Sequence, residues 1–125
     1  WKFCTELYGL GDNQHLTFSN LMINANYHRF ITEILPEFSK RKIVMICNEN
    51  ANFENLPFKV VKDFRCGTNC MVNDYKLVEE VCEWVENENI TNHTFLFAAA
   101  TLTNYMIHEL YKKFDNNQYI DICNL

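Results

Sequence analysis

Glycine is scarce in this chain, with three in 125 residues, at positions 9, 11 and 67. That scarcity removes the glycine-built ligand loops. No G-x-G-x-x-G occurs to open a dinucleotide fold, no G-x-x-x-x-G-K-[ST] to wrap phosphates, and no G-x-S-x-G elbow for a serine hydrolase. No D-x-D or D-x-E occurs either, and such close carboxylates are what usually hold a metal ion on a diphosphate during sugar or phosphoryl transfer. A basic stripe is also missing. Net charge is -5, and the tight basic run Lys40-Arg41-Lys42 stands just ahead of an apolar segment, as a solvated strand entry would. No nucleic-acid surface is expected. No apolar run approaches the ~20 residues of a membrane span, and Trp1–Leu10 carries no signal-peptide pattern.

What is present is ordinary for a soluble globular protein: 48% apolar and 22% charged residues in a chain long enough for one domain with a core. The first residue is Trp1 rather than Met, so we expect a domain of something longer, with further motifs upstream. Six cysteines stand at 4, 47, 66, 70, 82 and 123. Cys47 and Cys123 fall in apolar strand-like runs and Cys82 on an apolar helix face, where a free thiol packs as a small hydrophobe. Cys66-x-x-x-Cys70 lacks the usual zinc spacing and no second ligand pair follows it. A reducing, cytoplasmic compartment is the expectation. Two glycosylation sequons, at Asn89 and Asn92, point the other way, but 17 asparagines make chance sequons easy.

From residue 41 onward the chain alternates strand and helix. Ile43-Val44-Met45-Ile46-Cys47 is continuously apolar, as a parallel strand buried on both faces must be. The polar loop 48–52 and Pro57 separate it from a second strand, Phe58–Phe64. Asp74–Glu88 has helical spacing, with Leu77, Val78, Val81, Cys82, Trp84 and Val85 on one stripe and Asn73 as its N-cap. Thr94–Ala99 reads as the third strand, Leu102–Phe114 as a helix and Tyr119–Cys123 as the last strand. Upstream, Trp1–Leu10 reads as a short helix, His15–Phe18 as a possible strand, and Met22–Phe38 as a helix whose last turn Pro36 disrupts. The expected fold is α/β: a Rossmann-like parallel sheet of three to five strands with flanking helices. One domain over 1–125 is expected, with a helical portion at 1–39 and the sheet at 40–125.

Parallel strands gather the loops that follow them onto one edge, and ligands of such sheets bind there. The loops after the successive strands supply Asn48, Glu49 and Asn50, then Arg65, Gly67, Thr68 and Asn69, then Ala99, Ala100, Thr101 and Asn104, then Cys123 and Asn124. The small residues 98–100 would let a ligand approach the backbone. The helix beginning near Thr101 would offer N–H groups and a positive dipole end to phosphate, unless Thr101 caps the helix instead. Arg65 is either a bidentate phosphate contact or a surface residue. Asp121, read as a buried strand aspartate, would need a partner, either as a structural anchor or as an orienter of nearby loops. His108-Glu109 lacks a second histidine for zinc, and Glu86-Asn87-Glu88 reads as a solvated helix end.

Several of these stretches together carry a resemblance: 42–51, Leu56-Pro57-Phe58, Asn69, Phe95–Asn104 and Tyr119-Ile120-Asp121-Ile122. Residues 41–125 resemble the second half of the GT-D-type glycosyltransferases, and Asn26-Tyr27 is similar to a Gly-Asn-Tyr element of that family. The resemblance implies a Rossmann-like sheet and transfer of a sugar from a nucleotide donor to a glycan acceptor, aided by Mn²⁺ or Mg²⁺. The family's metal-binding D-x-E has no counterpart here, so the ion would be held by residues outside this chain. Ala100-Thr101 stands where the family has Gly-Pro, Cys123-Asn124 where it has Gly-Ser or Gly-His, and Ala25 where it has glycine. The implied binding residues are Asn48, Glu49 and Asn50 for donor or acceptor, Arg65 and Asn69 for the diphosphate, and Thr101 and Asn104 for nucleotide or phosphate. The rival readings are an inactive Rossmann-like interaction module, favoured by the replaced glycines, and a redox or metal role for Cys66 and Cys70.

Overall fold

A computed structural model describes residues 27–122. The expected helix at 1–10, the strand at 15–18, and the roles of Ala25, Asn26, Cys4, Cys123 and Asn124 lie outside those residues. The described chain opens with α1 (Tyr27–Arg29), a π-helical turn (Phe30–Ile34) and α2 (Leu35–Phe38). It continues through β1 (Lys42–Asn48), β2 (Val60–Cys66), α3 (Cys70–Asn73), α4 (Leu77–Asn87), β3 (His93–Phe97), α5 (Thr101–Lys113) and β4 (Gln118–Asp121).

The four strands form one sheet in the order β2-β1-β3-β4, and all three pairings are parallel. This is the α/β, Rossmann-like sheet expected from the sequence. Burial explains the order. The middle five residues of β1 and all of β3 are buried. Only central strands with layers on both faces can be apolar throughout. Successive side chains of β1 point to opposite faces. Val44 and Ile46 enter one core with Phe95, Phe97, Val81, Leu102 and Met106, beneath α4 and α5. Ile43, Met45 and Cys47 enter the other with Leu96, Phe30 and Phe38. Each fully buried side chain of this size stabilises by about 1.5–3 kcal/mol.

Several boundaries differ from the sequence expectation. β2 begins two residues late, at Val60, because its pairing with β1 brings Val44 opposite Lys62 and Asn48 opposite Cys66. Ladder register decides this, not local hydropathy. The link from β1 to β2 contains no helix. Its Ala51, Phe53 and Phe58 pack into the second core, and Phe58 meets Phe38 edge-on with centroids 5.7 Å apart. Pro36 leaves the last turn of the first helix α-helical instead of disrupting it, and the irregularity falls one turn earlier. The turn before it widens, so that Leu35 N–H donates to Phe30 O five residues back, and Pro36 then sits in the first turn of α2, where its missing N–H is harmless. Asn73 does not cap α4. Lys76 holds that position, and the Asn73 amide donates to Thr68 O at 3.1 Å. Asp121 is exposed rather than buried, because β4 is an edge strand.

Candidate functional site

The chain moves from β1 outward to β2, then returns across β1 to β3. β1 and β3 therefore feed loops to opposite sides, which is the switch point where open α/β sheets hold ligands. A crevice of about 320 Å³ lies there, lined by Asn48, residues 66–71 and residues 98–101.

Each wall has a local cause. The ladder runs on past the strand ends: Glu49 N–H donates to Cys66 O at 2.8 Å, and Ala98 N–H to Ile46 O at 2.7 Å. The Asn48 side chain accepts from Asn50 N–H at 2.9 Å, which turns the chain out of β1. On the second wall, Gly67 N–H donates to Asp74 Oδ2 at 2.9 Å. Asn69 adopts φ 59°, a left-handed conformation that asparagine tolerates better than most residues. On the third wall, Ala99 N–H donates to the fully buried Thr103 Oγ1 at 3.1 Å. Ala100 is the N-cap of α5, with φ 48° and ψ -133°, and no side chain caps the helix. Thr101 is thus the first residue inside α5 rather than its cap. Among the described residues, no group accepts from the N–H of Ala100 or Thr101. Those donors and the dipole of a 13-residue helix face the crevice edge.

Of the residues expected to bind, Asn48, Asn69 and Thr101 line this crevice together. Glu49 stands at its margin. A Cβ built on Gly67 would meet Glu49 Oε1 and Asp74 Oδ2, each 3.6 Å away. Asn50 and Asn104 are exposed and do not line it. Arg65 does not line it either. Its guanidinium donates to Asp63 Oδ2 at 2.7 Å, to Ala51 O at 2.6 Å and to Asn48 O at 3.2 Å, and lies 4.2 Å from the centroid of the Phe53 ring. It braces the β1–β2 loop from behind.

Two features escaped the sequence reading: Thr103 looked like helix interior and Asp74 like a helix start. Cys66 and Cys70 both line the crevice. Burial pushes the Cys66 thiol up to about 12, helped by the neighbouring Cys70, so it stays protonated at neutral pH. Cys47 is raised by burial as well, against an opposing pull from Arg65.

Among the described residues, no group of three His, Cys, Asp or Glu could hold a metal ion. Glu49 and Asp74 flank Gly67 as a pair of carboxylates, fewer donors than a dedicated divalent site requires. A second cavity, of about 450 Å³, lies on the opposite face between the 27–38 helical stretch and the β1–β2 loop. Its walls are apolar apart from Tyr27, Cys47, Asn48 and Asn52, and Asn48 is the one expected binding residue on it.

Comparison of the chain with protein families, with curated proteins and with solved structures gives no match. The assignment of function therefore rests on the crevice. None of the described helices is long and apolar enough to cross a membrane.

Proposed function

We propose that this domain binds a nucleotide sugar at the switch-point crevice and belongs to a cytoplasmic glycosyltransferase-like protein that builds a glycan or polysaccharide. The observation that carries this reading is the convergence of Asn48, Asn69 and Thr101, three residues far apart in sequence, around a strip of alanine backbone at 98–100. In this reading the unpaired N–H groups at the start of α5 receive the diphosphate. The amides of Asn48 and Asn69 orient donor or acceptor hydroxyls, while Glu49 and Asn50 stand at the acceptor side and Asn104 at the nucleotide side. Arg65 acts by fixing the Asn48 loop. No side chain here serves as a convincing general base, so the domain contributes positioning and charge stabilisation of the leaving diphosphate. Residues outside this chain would hold the Mn²⁺ or Mg²⁺ that the reading implies, and that ion would supply charge neutralisation of the diphosphate.

The test is titration calorimetry of the full-length protein with UDP-, GDP- and dTDP-sugars in the presence of Mn²⁺ or Mg²⁺. Heat with one of them, lost in an Asn69→Ala, Thr101→Val double variant, supports the reading. Absence of heat across the panel overturns it.

A second reading, an inactive Rossmann-like interaction module, is favoured by one feature. Ala100 carries a side chain at a backbone conformation suited to glycine, on the strip where a diphosphate would approach. Under that reading only the Ala100→Gly, Thr101→Pro double variant gains donor affinity.

A further inference from the structure

The cavity between the 27–38 stretch and the β1–β2 loop shares two wall residues, Asn48 and Ala98, with the crevice. The two spaces therefore meet over the carboxyl ends of β1 and β3. Their linings differ. Phe30, Leu35, Phe38, Phe53, Phe58 and Leu96 give the cavity hydrocarbon and ring walls, and none of its described lining residues is charged. Tyr27 and Ile31, also on its lining, are 54% and 40% exposed, so the space opens to solvent. Its volume of about 450 Å³ is about three times the ~150 Å³ that admits benzene, and it lies in the usual range of small-molecule sites. Two amides on this cavity have a donor to spare. Asn48 Oδ1 accepts from Asn50 N–H at 2.9 Å and Asn52 Oδ1 from Glu54 N–H at 2.8 Å. Neither Nδ2 has an acceptor among the described residues. A peptide would bring in backbone groups that need partners, and these walls offer little beyond two amides and a phenol. An open apolar space that joins a polar crevice at a free amide suits a molecule with one hydrocarbon end and one oxygen-bearing end.

We propose that the cavity seats the hydrocarbon tail of an amphiphilic acceptor, a chain of at least about eight carbons, while its hydroxyl-bearing head lies over Asn48 at the crevice. Asn48 Nδ2 donates to an oxygen of the head, and the small side chain of Ala98 lets the molecule pass from one space to the other. Burial of the tail supplies affinity, and the amide fixes which end faces the crevice. The head's role as acceptor rests on the nucleotide-sugar reading; the seat of the tail does not.

The probes are methyl, butyl, hexyl and octyl β-glucosides, each kept below its micelle threshold. They are titrated into the full-length protein carrying isotope-labelled methionine methyl groups. Met45 lines the cavity, Met71 lines the crevice, and Met106 is buried in the other core. The expected result is an affinity that climbs with chain length, by up to about fourfold per buried methylene, with Met45 shifting and Met106 still. Ala51→Phe, which plugs the cavity from the β1–β2 loop, should weaken octyl glucoside binding at least about tenfold. Affinity that ignores chain length, or rises with Met45 unmoved, overturns the proposal in the native protein. So does unchanged octyl glucoside binding in a folded Ala51→Phe variant. UDP-, GDP- and dTDP-sugars with Mn²⁺ or Mg²⁺ are read at Met71 in the same samples. Silence at Met71 with a shift at Met45 overturns the nucleotide-sugar reading, and the acceptor role with it, but leaves the tail site standing. The reverse pattern overturns the tail site alone.

Discussion

Replacing Ala100 with glycine should stabilise the protein, as the ordinary preference for glycine over alanine at an N-cap also favours. Ala100 has φ 48° and ψ -133°. An L-residue with a Cβ pays about 1–3 kcal/mol to occupy such a region. Glycine removes that strain but brings extra freedom to the unfolded chain, which costs about 0.5–1 kcal/mol. Because Ala100 is exposed, little packing is lost with its methyl group. The net gain is about 1 kcal/mol, or a rise of about 4 °C in Tm for a chain of 125 residues. Thr101→Pro should add about 0.4–1 kcal/mol, since Thr101 opens α5 and its N–H has no acceptor among the described residues. Ala99→Gly is the control. Ala99 is buried and its φ is not positive, so glycine there should destabilise. Urea and thermal melts of the four proteins decide the matter. If Ala100→Gly is no more stable than wild type while Ala99→Gly is destabilised, the strain assigned to residue 100 does not exist.

Thr103→Val keeps the shape of a fully buried residue but leaves the Ala99 N–H without its acceptor, and should cost about 1–3 kcal/mol by urea denaturation, with Thr103→Ser largely restoring it. Arg65→Ala removes three hydrogen bonds and the stacking on Phe53, and should lower stability by about 1–3 kcal/mol; Arg65→Lys should recover less than half of that, because an ammonium cannot reproduce the fork. Tyr119 is raised above its ordinary value of 10.0, chiefly by burial, and its hydroxyl donates to Phe114 O at 2.6 Å. The folded state therefore favours the neutral phenol. That stabilisation is complete below pH 10 and is lost as pH climbs through the higher folded value. Tyr119→Phe should be about 1 kcal/mol weaker at pH 7 and should fall less steeply than wild type above pH 10 in pH-dependent melts.

The central half of the fold was legible because its signal is carried by composition alone. Ile43–Cys47 and Phe95–Phe97 are apolar without a break, as the middle of a covered parallel sheet requires. The stripe on α4 was equally plain, with Leu77, Val78, Val81, Cys82 and Val85 all buried. The edges were harder to read. Whether Asp121 is buried depends on whether another strand lies beyond β4, and that is a property of strand order. The true start of β2 depends on register with β1. The candidate site divides in the same way. Asn48, Asn69 and Thr101 could be placed together because parallel strands send their loops to one edge. The aim of Arg65 could not, since it is set by Ala51 O and the Phe53 ring, contacts that exist only once the β1–β2 loop has closed.

Two of the crevice's walls differ in what mutation can do to them. On the β3 side a ligand would meet alanines and main-chain N–H groups, held by a bond from Ala98 to the neighbouring strand. Substitution there alters access and strain but offers few new chemical groups, so recognition on that side is nearly independent of residue identity. On the other side the loop 67–69 and α3 carry Thr68, Asn69 and Met71, all exposed and none of them in a strand. Descendants of this scaffold that change ligand would do so by rewriting those few positions, leaving the alanine strip as the fixed jaw.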